Sequence, residues 1–443
     1  MQSVNGEGAT FISPLGLAFV IVVALLLLAL PRRFVTLPLL ASACFLSLGQ
    51  HIVIGGLNFT MMRILLPFGW ARLIFKGELR GLQWNTLDKV VLAWITVRTI
   101  NYALVWGTSS ALINRLGYGY DILGYYFLFR CVLREPDDMA RAVRYIALFV
   151  GPLALLMMNE KFAGHNLFAI VGAPAYSEIR AGVIRCQGPF GHSILAGTFG
   201  ASVVPLFFGL RSYRQRGLFL TAIAVMGATA IAALSGSSGP MLAFGAGLVG
   251  LAFWPLHRKM RLVRWMIVAV LMVLQVVMSQ PLWFILARAT VFSGSTGWFR
   301  GFLIDVTIRH FADWWLIGSN AAATWHNYLM DVTNQYVAEG LGGGIVALVL
   351  FVAILVLGFR MVGRVARSEQ LPENTRRFAW SLGAALLTHA VSFVSIAYFD
   401  QNMVLLYMLL AGIVATASVV PAVNSESTVA AEAALYPMAL NAR

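Results

Sequence analysis

Two polar stretches interrupt an otherwise apolar chain, and they hold the side chains whose chemistry is most suggestive. Residues 159–190 carry Lys161, Arg180 and Arg185, and residues 280–335 carry Arg288, Arg300, Arg309 and His326. A guanidinium is planar and permanently charged, and its donors match two phosphate oxygens at once. Arg185 and Arg300 have no acidic residue at helical spacing: Glu178 lies seven residues before the first and Asp305 five after the second. Two roles suit them, holding a lipid phosphate at a membrane rim or holding a pyrophosphate on a substrate. Arg180 and Arg288 are second choices for the same work. Arg309 differs, because Asp305 and Asp313 stand one helical turn away on either side if the stretch is helical, which suggests a structural duty.

Histidine supplies the complementary chemistry. Residues 185–193 read Arg-Cys-Gln-Gly-Pro-Phe-Gly-His-Ser, a Gly/Pro turn that delivers His192 to the start of an apolar run. A cap or an interfacial hydrogen bond is its plain reading. His326 closes the second polar stretch, and a neutral imidazole at a membrane rim is a natural general base. Asn327 and Asp331 are four apart and could hold each other on one helical face, leaving His326 free. Taken singly, His326 reads as structural before catalytic, and His165, His310 and His389 are equally ambiguous. Tight ligand spacing such as His-x-x-x-His is missing, so no metal or other cofactor is expected. Cys44, Cys131 and Cys186 are scattered, and no disulfide framework can be read from them.

The elements that position these residues are set by the composition. Of the 443 residues 59% are hydrophobic and 11% charged, and the mean hydropathy is +0.79. Soluble chains keep about a quarter of their residues charged, so the bilayer must be the solvent for most of this one. Apolar runs of about 17–25 residues mark crossings, and thirteen can be drawn, the second over residues 34–54. Six fall in residues 1–158, four in 191–279 and three in 336–420; the loops 159–190 and 280–335 lie between these groups. The tail, 421–443, is small and polar and is expected to be disordered. The first run lacks a preceding basic stretch and reads as a retained helix rather than a cleaved signal.

With thirteen crossings every Lys- and Arg-rich short loop falls on one side. That side holds roughly 21 cations and the other roughly 7, which places the basic side in the cytoplasm. The net charge of +14 is then a topology signal and points to no nucleic-acid partner. Both long loops face outward, and the tryptophans of the second suit the headgroup layer. Within the runs, Arg98 and Asp121 fall near mid-depth of neighbouring crossings and are expected to pair. Arg63 and Arg72 lie near opposite ends of one run and are expected to snorkel.

Four pieces, in order, resemble the O-antigen ligase and O-antigen polymerase superfamily. They are Arg185 with Gly188-Pro189-Phe190-Gly191-His192-Ser193; Leu234-Ser235-Gly236-Ser237-Ser238-Gly239 opening a crossing; Arg300 followed by Trp315-Leu316-Ile317-Gly318; and His326-Asn327-Tyr328-Leu329 followed by Glu339-Gly340-Leu341-Gly342. Together they cover residues 180–358. Many members carry Ser-Arg-Gly at 237–239 and His-Pro-Asn at 192–194, where this chain departs. The resemblance implies an all-α polytopic membrane protein of about twelve to thirteen transmembrane helices, of the GT-C kind, with a long periplasmic loop before the last three. It implies a metal-independent glycosyltransferase of the bacterial inner membrane. The donor would be a glycan on a polyprenyl diphosphate, presented at the periplasmic face. The acceptor would be lipid A core for a ligase, or another lipid-linked repeat for a polymerase. His326 would be the base, Arg185 and Arg300 the diphosphate clamp with Arg180 and Arg288 in reserve, and His192 and Asn327 supporting residues. Two other classes fit the composition: a secondary transporter of an anionic solute, which would use Arg98 and Asp121, and a non-catalytic protein of polysaccharide assembly.

Overall fold

A computed structural model describes residues 10–214, 217–288, 297–326, 332–399 and 401–420, with the side chains of residues 287 and 288 left out. Each of the thirteen apolar runs contains a helix. In chain order the helices are α1 (Pro14–Ala29), α2 (Thr36–Phe45), α3 (Met61–Phe75), α4 (Thr86–Trp106), α5 (Ser109–Val132), α6 (Pro136–Ala163), α7 (Ser193–Arg214), α8 (Leu218–Leu234), α9 (Ser238–Ala252), α10 (Met260–Val277), α11 (Ile285–Arg288), α12 (Gly297–Arg309), α13 (Phe311–Trp314), α14 (Ala322–Trp325), α15 (Gln335–Arg367), α16 (Glu373–Ser392) and α17 (Gln401–Ala417). Helix is the favoured answer in lipid, because each segment then satisfies its own backbone. Four stretches, Pro136–Ala163, Ser193–Arg214, Trp254–Val277 and Gln335–Arg367, are long and apolar enough to cross a bilayer by length and composition. Strand is confined, among the described residues, to two short hairpins, β1–β2 (His51–Ile54, Leu57–Thr60) and β3–β4 (Glu178–Arg180, Val183–Arg185). The chain is an all-α membrane protein.

The second run is not a continuous helix. The helix α2 stops at Phe45, residues 46–50 are non-helical with a turn at Leu48 and Gly49, and β1 begins at His51. The cause is legible in Ile52-Val53-Ile54-Gly55-Gly56: a β-branched strand meets a two-glycine turn, and Gly55 and Gly56 take φ of 59° and 79°, as a primed hairpin turn requires. Ten helical residues rise about 15 Å, half the thickness of a bilayer core, and residues 46–50 carry the chain on without helix. His51 comes back to the end where α1 begins, exchanging hydrogen bonds of 3.0 and 2.9 Å with Phe11. This irregular stretch is shielded by protein, as non-helical backbone in a membrane protein must be: Leu46, Ser47 and Gln50 are buried, and Gln50 Nε2 donates to the Val171 carbonyl at 2.8 Å.

The loops sort into two ends. Arg32 bonds Asp138 at 3.0 Å, Arg214 bonds Asp137 at 2.9 Å and Arg258 bonds Glu369 at 2.9 Å, which ties the basic loops together. At the opposite end residues 51, 171 and 189 meet through Phe11, Gln50 and Gln401. The helix α17 is the central post, buried from Gln401 to Thr416, with α5, α15 and α16 around it. By contrast α10 stands off the bundle, and Val263 is its one buried residue.

The charges inside the bundle pair differently from the expectation. Arg98 is bound to Glu339, whose second oxygen accepts from Trp94 Nε1 at 2.8 Å. Asp121 instead takes a bidentate contact from Arg63, at 2.6 and 2.8 Å. Arg98 and Asp121 lie on neighbouring helices, but a buried cation goes to the carboxylate that shares its depth and face, and for Arg98 that carboxylate comes from α15. Arg72 does not snorkel either. Its side chain is buried, held by Glu78 at 2.7 Å and by the carbonyl of Leu27 at 2.8 Å.

Candidate functional site

The first polar loop is built on the β3–β4 hairpin, where Glu178 lies directly opposite Arg185. Ala181 and Gly182 turn the chain at φ of 48° and 76°. Seven residues of sequence separation thus become cross-strand adjacency. The expectation that Arg185 lacks a local partner fails for that reason, because helical spacing is the wrong ruler for a hairpin. Arg185 Nη1 reaches Glu178 Oε2 at 2.7 Å, and Arg180 takes the other oxygen at 2.8 Å. Arg185 is buried, and its Nε has no hydrogen-bond partner.

The turn that follows is held by Glu160, a residue that no sequence motif singles out. Its carboxylate accepts from the amides of Gln187 and Gly188 at 3.0 and 2.9 Å and from Ser177 Oγ at 2.7 Å. Asn166 Nδ2 takes the Gly188 carbonyl at 2.8 Å. An acidic residue near the C-terminal end of an apolar helix was the available signal, since such a carboxylate needs donors. His192 accepts from the Ile194 amide through Nδ1 at 3.0 Å, which makes it a cap on the start of α7.

The Ser-Gly-Ser-Ser-Gly turn between α8 and α9 is the wedge that joins the two loops. Gly236 has φ of 56°, and a Cβ there would come within 3.1 Å of Arg185 Cγ. At Gly239 a Cβ would lie 2.5 Å from Ser395 Oγ and 3.3 Å from Arg300 Nη2. Glycine at these positions lets one guanidinium stem and one guanidinium head close on the same turn. Arg300 itself is 6% exposed, and no carboxylate pairs with it among the described residues. Burial, with the positive charges of Arg185 and then Arg180, pushes its pKa down to about 10. Burial also lowers that of Arg185, against the pull of Glu178. Arg180 and Arg185 thus share one carboxylate and Arg300 adds a third positive charge beside them, so among the described residues the site is short of negative charge.

The second loop is organised around α12 and the glycines of α15. The carbonyl of Trp315 accepts from the Ile345 amide at 2.7 Å, and the Ser319 amide donates to the Leu341 carbonyl at 2.9 Å. Gly344 leaves helical geometry at φ 73°, ψ −174°, and both Gly344 and Gly318 approach backbone too closely to admit a side chain. Glu339-Gly340-Leu341-Gly342 and Trp315-Leu316-Ile317-Gly318 are thus two halves of one backbone joint. Arg309 bonds Asp305 at 2.7 Å. The helix ends there, and Asp313 pairs instead with His310 at 2.9 Å.

His326 follows α14 and sets its ring edge-on to Phe302, centroids 4.8 Å apart at 76°. Phe302 is two residues past Arg300 on α12, roughly 200° around the helix, so His326 meets a different flank of α12 from the one that carries the Arg300 guanidinium. Asn327 and Asp331 lie outside the described residues, as does the side chain of Arg288. The structure gathers Arg180, Arg185 and Arg300 around the α8–α9 turn and brings His326 to α12. Among the described residues no group of three or more His, Cys, Asp or Glu side chains is placed to hold a metal. Neither a protein-family model nor a curated protein sequence matches the chain.

Proposed function

We propose that this protein is a glycosyltransferase of the O-antigen ligase or polymerase type. It transfers a glycan from a polyprenyl diphosphate to an acceptor hydroxyl, of lipid A core or of another lipid-linked repeat. The chain crosses the bacterial inner membrane thirteen times, with α2 and residues 46–50 forming one broken crossing, and the end that holds Arg185 and Arg300 faces the periplasm. The reading is supported above all by Arg300, a buried guanidinium that has two cationic neighbours and, among the described residues, no carboxylate of its own. Burying an unpaired cation is costly, and a dianionic diphosphate is the complement that removes the cost. In transfer the diphosphate is the leaving group, and preorganised cations at a dry rim stabilise the charge that develops on it.

His326 is the proposed base for the acceptor hydroxyl. Since it meets α12 away from Arg300, the acceptor enters along the Phe302 side while the donor diphosphate lies over the α8–α9 turn. The transporter reading would use Arg98 and Asp121, and each of these is engaged in an ion pair, with Glu339 and Arg63 respectively. The test is in vitro transfer from a purified lipid-linked glycan, with donor binding measured on the same sample. Arg300→Ala and Arg185→Ala should both lose donor binding and transfer. Normal glycan transfer by both would overturn the proposal.

A further inference from the structure

A second arginine cluster lies at the opposite, basic end of the bundle, and it does not depend on the transfer reading. A cavity of about 490 Å³ opens there between the residues that precede α4 and the ends of α5, α15 and α17, with Arg130, Arg134 and Arg364 in its wall. Two of these guanidiniums are fixed in place. Arg130 is held by both oxygens of Asp88, at 2.8 and 3.1 Å, and by the Gln83 carbonyl at 2.8 Å. Arg134 donates to the carbonyls of Cys131 and Glu78, at 3.0 and 2.6 Å, and its guanidinium lies so close over Gly81 that a Cβ there would displace it.

The charge in this cavity does not balance. Asp88 is fully engaged, since it also accepts from Tyr126 Oη at 2.7 Å and from the Asn85 amide at 2.9 Å. Glu78 is taken by Arg72 at 2.7 Å. Among the described residues no carboxylate pairs with Arg134 or Arg364. Asn85 adds a donor: its Oδ1 caps α4, and its buried Nδ2 has no hydrogen-bond partner. Met361 and Val414 supply an apolar part of the wall. Snorkelling arginines would reach out to solvent on flexible stems, whereas Arg134 is pinned inward by backbone carbonyls.

We propose that this cavity binds a phosphate mono- or diester, with Arg134, Arg364 and Asn85 as its ligands. Two sources present that chemistry: the headgroup of an anionic phospholipid, whose glycerol would meet the apolar wall, and a soluble phosphate.

The experiment uses the full chain, purified and stripped of lipid in detergent. Native mass spectrometry after addition of phosphatidylglycerol or phosphatidylcholine reads the lipid source. Melting temperature with and without inorganic phosphate reads the soluble one. A charge-assisted hydrogen bond is worth about tenfold or more in affinity, so Arg134→Gln and Arg364→Gln should each weaken binding by about that factor, while Arg258→Gln, on the same end but paired with Glu369, should not. Arg364 is exposed, so its variant folds even if Arg134→Gln does not. Selective retention of phosphatidylglycerol that falls in Arg364→Gln identifies the headgroup. A phosphate-dependent rise in melting temperature that is lost in Arg364→Gln identifies the soluble ligand. If neither probe binds the wild type, or if Arg364→Gln binds as well as Arg258→Gln, the site does not exist.

Discussion

A buried cation placed for an absent ligand should make the empty protein less stable than a variant without it. Arg300 is the place to look. Its proton affinity is depressed to about 10, between two and three decades below the ordinary guanidinium, and each decade is worth about 1.4 kcal/mol. The sign follows directly. The folded state disfavours the charged form, so the cost of roughly 3 kcal/mol is fully present at neutral pH and fades only as pH climbs past about 10. Arg300→Met keeps the apolar stem and drops the charge. In detergent without ligand it should therefore raise stability by about 1–3 kcal/mol, while donor binding and transfer disappear. Inorganic pyrophosphate should raise the melting temperature of the wild type and leave that of Arg300→Met unchanged. Arg300→Met melting below the wild type in the absence of ligand would refute the reasoning, because the arginine would then be a satisfied structural residue.

Other consequences can be checked separately. His326→Ala should fold and bind donor normally yet transfer about 10²–10⁴ times more slowly, and near-normal transfer would remove it as the base. Arg185→Lys should be almost as inactive as Arg185→Ala, because the lysine keeps the charge and loses the planar fork. Glu339→Gln leaves Arg98 buried without its counter-charge and should cost about 3–5 kcal/mol, measured as lost abundance and melting temperature, with partial recovery in Arg98→Met/Glu339→Gln. The three native cysteines are buried, so Tyr176→Cys and Asn320→Cys should report alone: both should react with an impermeant thiol reagent in intact cells, and protection of both would reverse the orientation.

The helices were legible because bilayer burial leaves a strong one-dimensional signal, a long apolar run, and every such run contains a helix. What the signal lacks is local conformation. Residues 34–54 are apolar enough to count as one crossing, while Gly55-Gly56 behind three β-branched or aliphatic residues is a hairpin signal that acts at shorter range. Pairing inside the bundle was less legible. Arg98 and Asp121 invite each other by depth along the sequence, but depth does not say which face of a helix a side chain occupies. Glu339, noted for its neighbours Gly340 and Gly342, carries its own signal: a carboxylate within an apolar run needs a cation. Glu160 carries the same signal, and its answer is backbone amides rather than an arginine.

The site follows the same division. Arg185 and Arg300 stood out because cations are scarce in one of the two alternating sets of loops, and that scarcity needs no structure to detect. Their convergence depends on two glycines of the α8–α9 turn that have no chemistry of their own: Gly236 lies under Arg185 and Gly239 under Arg300. Gly340 and Gly342 sit in a run whose neighbours Leu341 and Gly344 join α15 to the loop after α13, and the carboxylate beside them anchors Arg98. Much of what looks like a catalytic signature in this chain is therefore joinery that sets α12 in place. The residues left over for chemistry are those whose charge the fold does not neutralise. By that criterion Arg300 ranks first and Arg185 second, because Glu178 offsets part of its charge, and Arg309, bonded to Asp305 and largely in solvent, drops out.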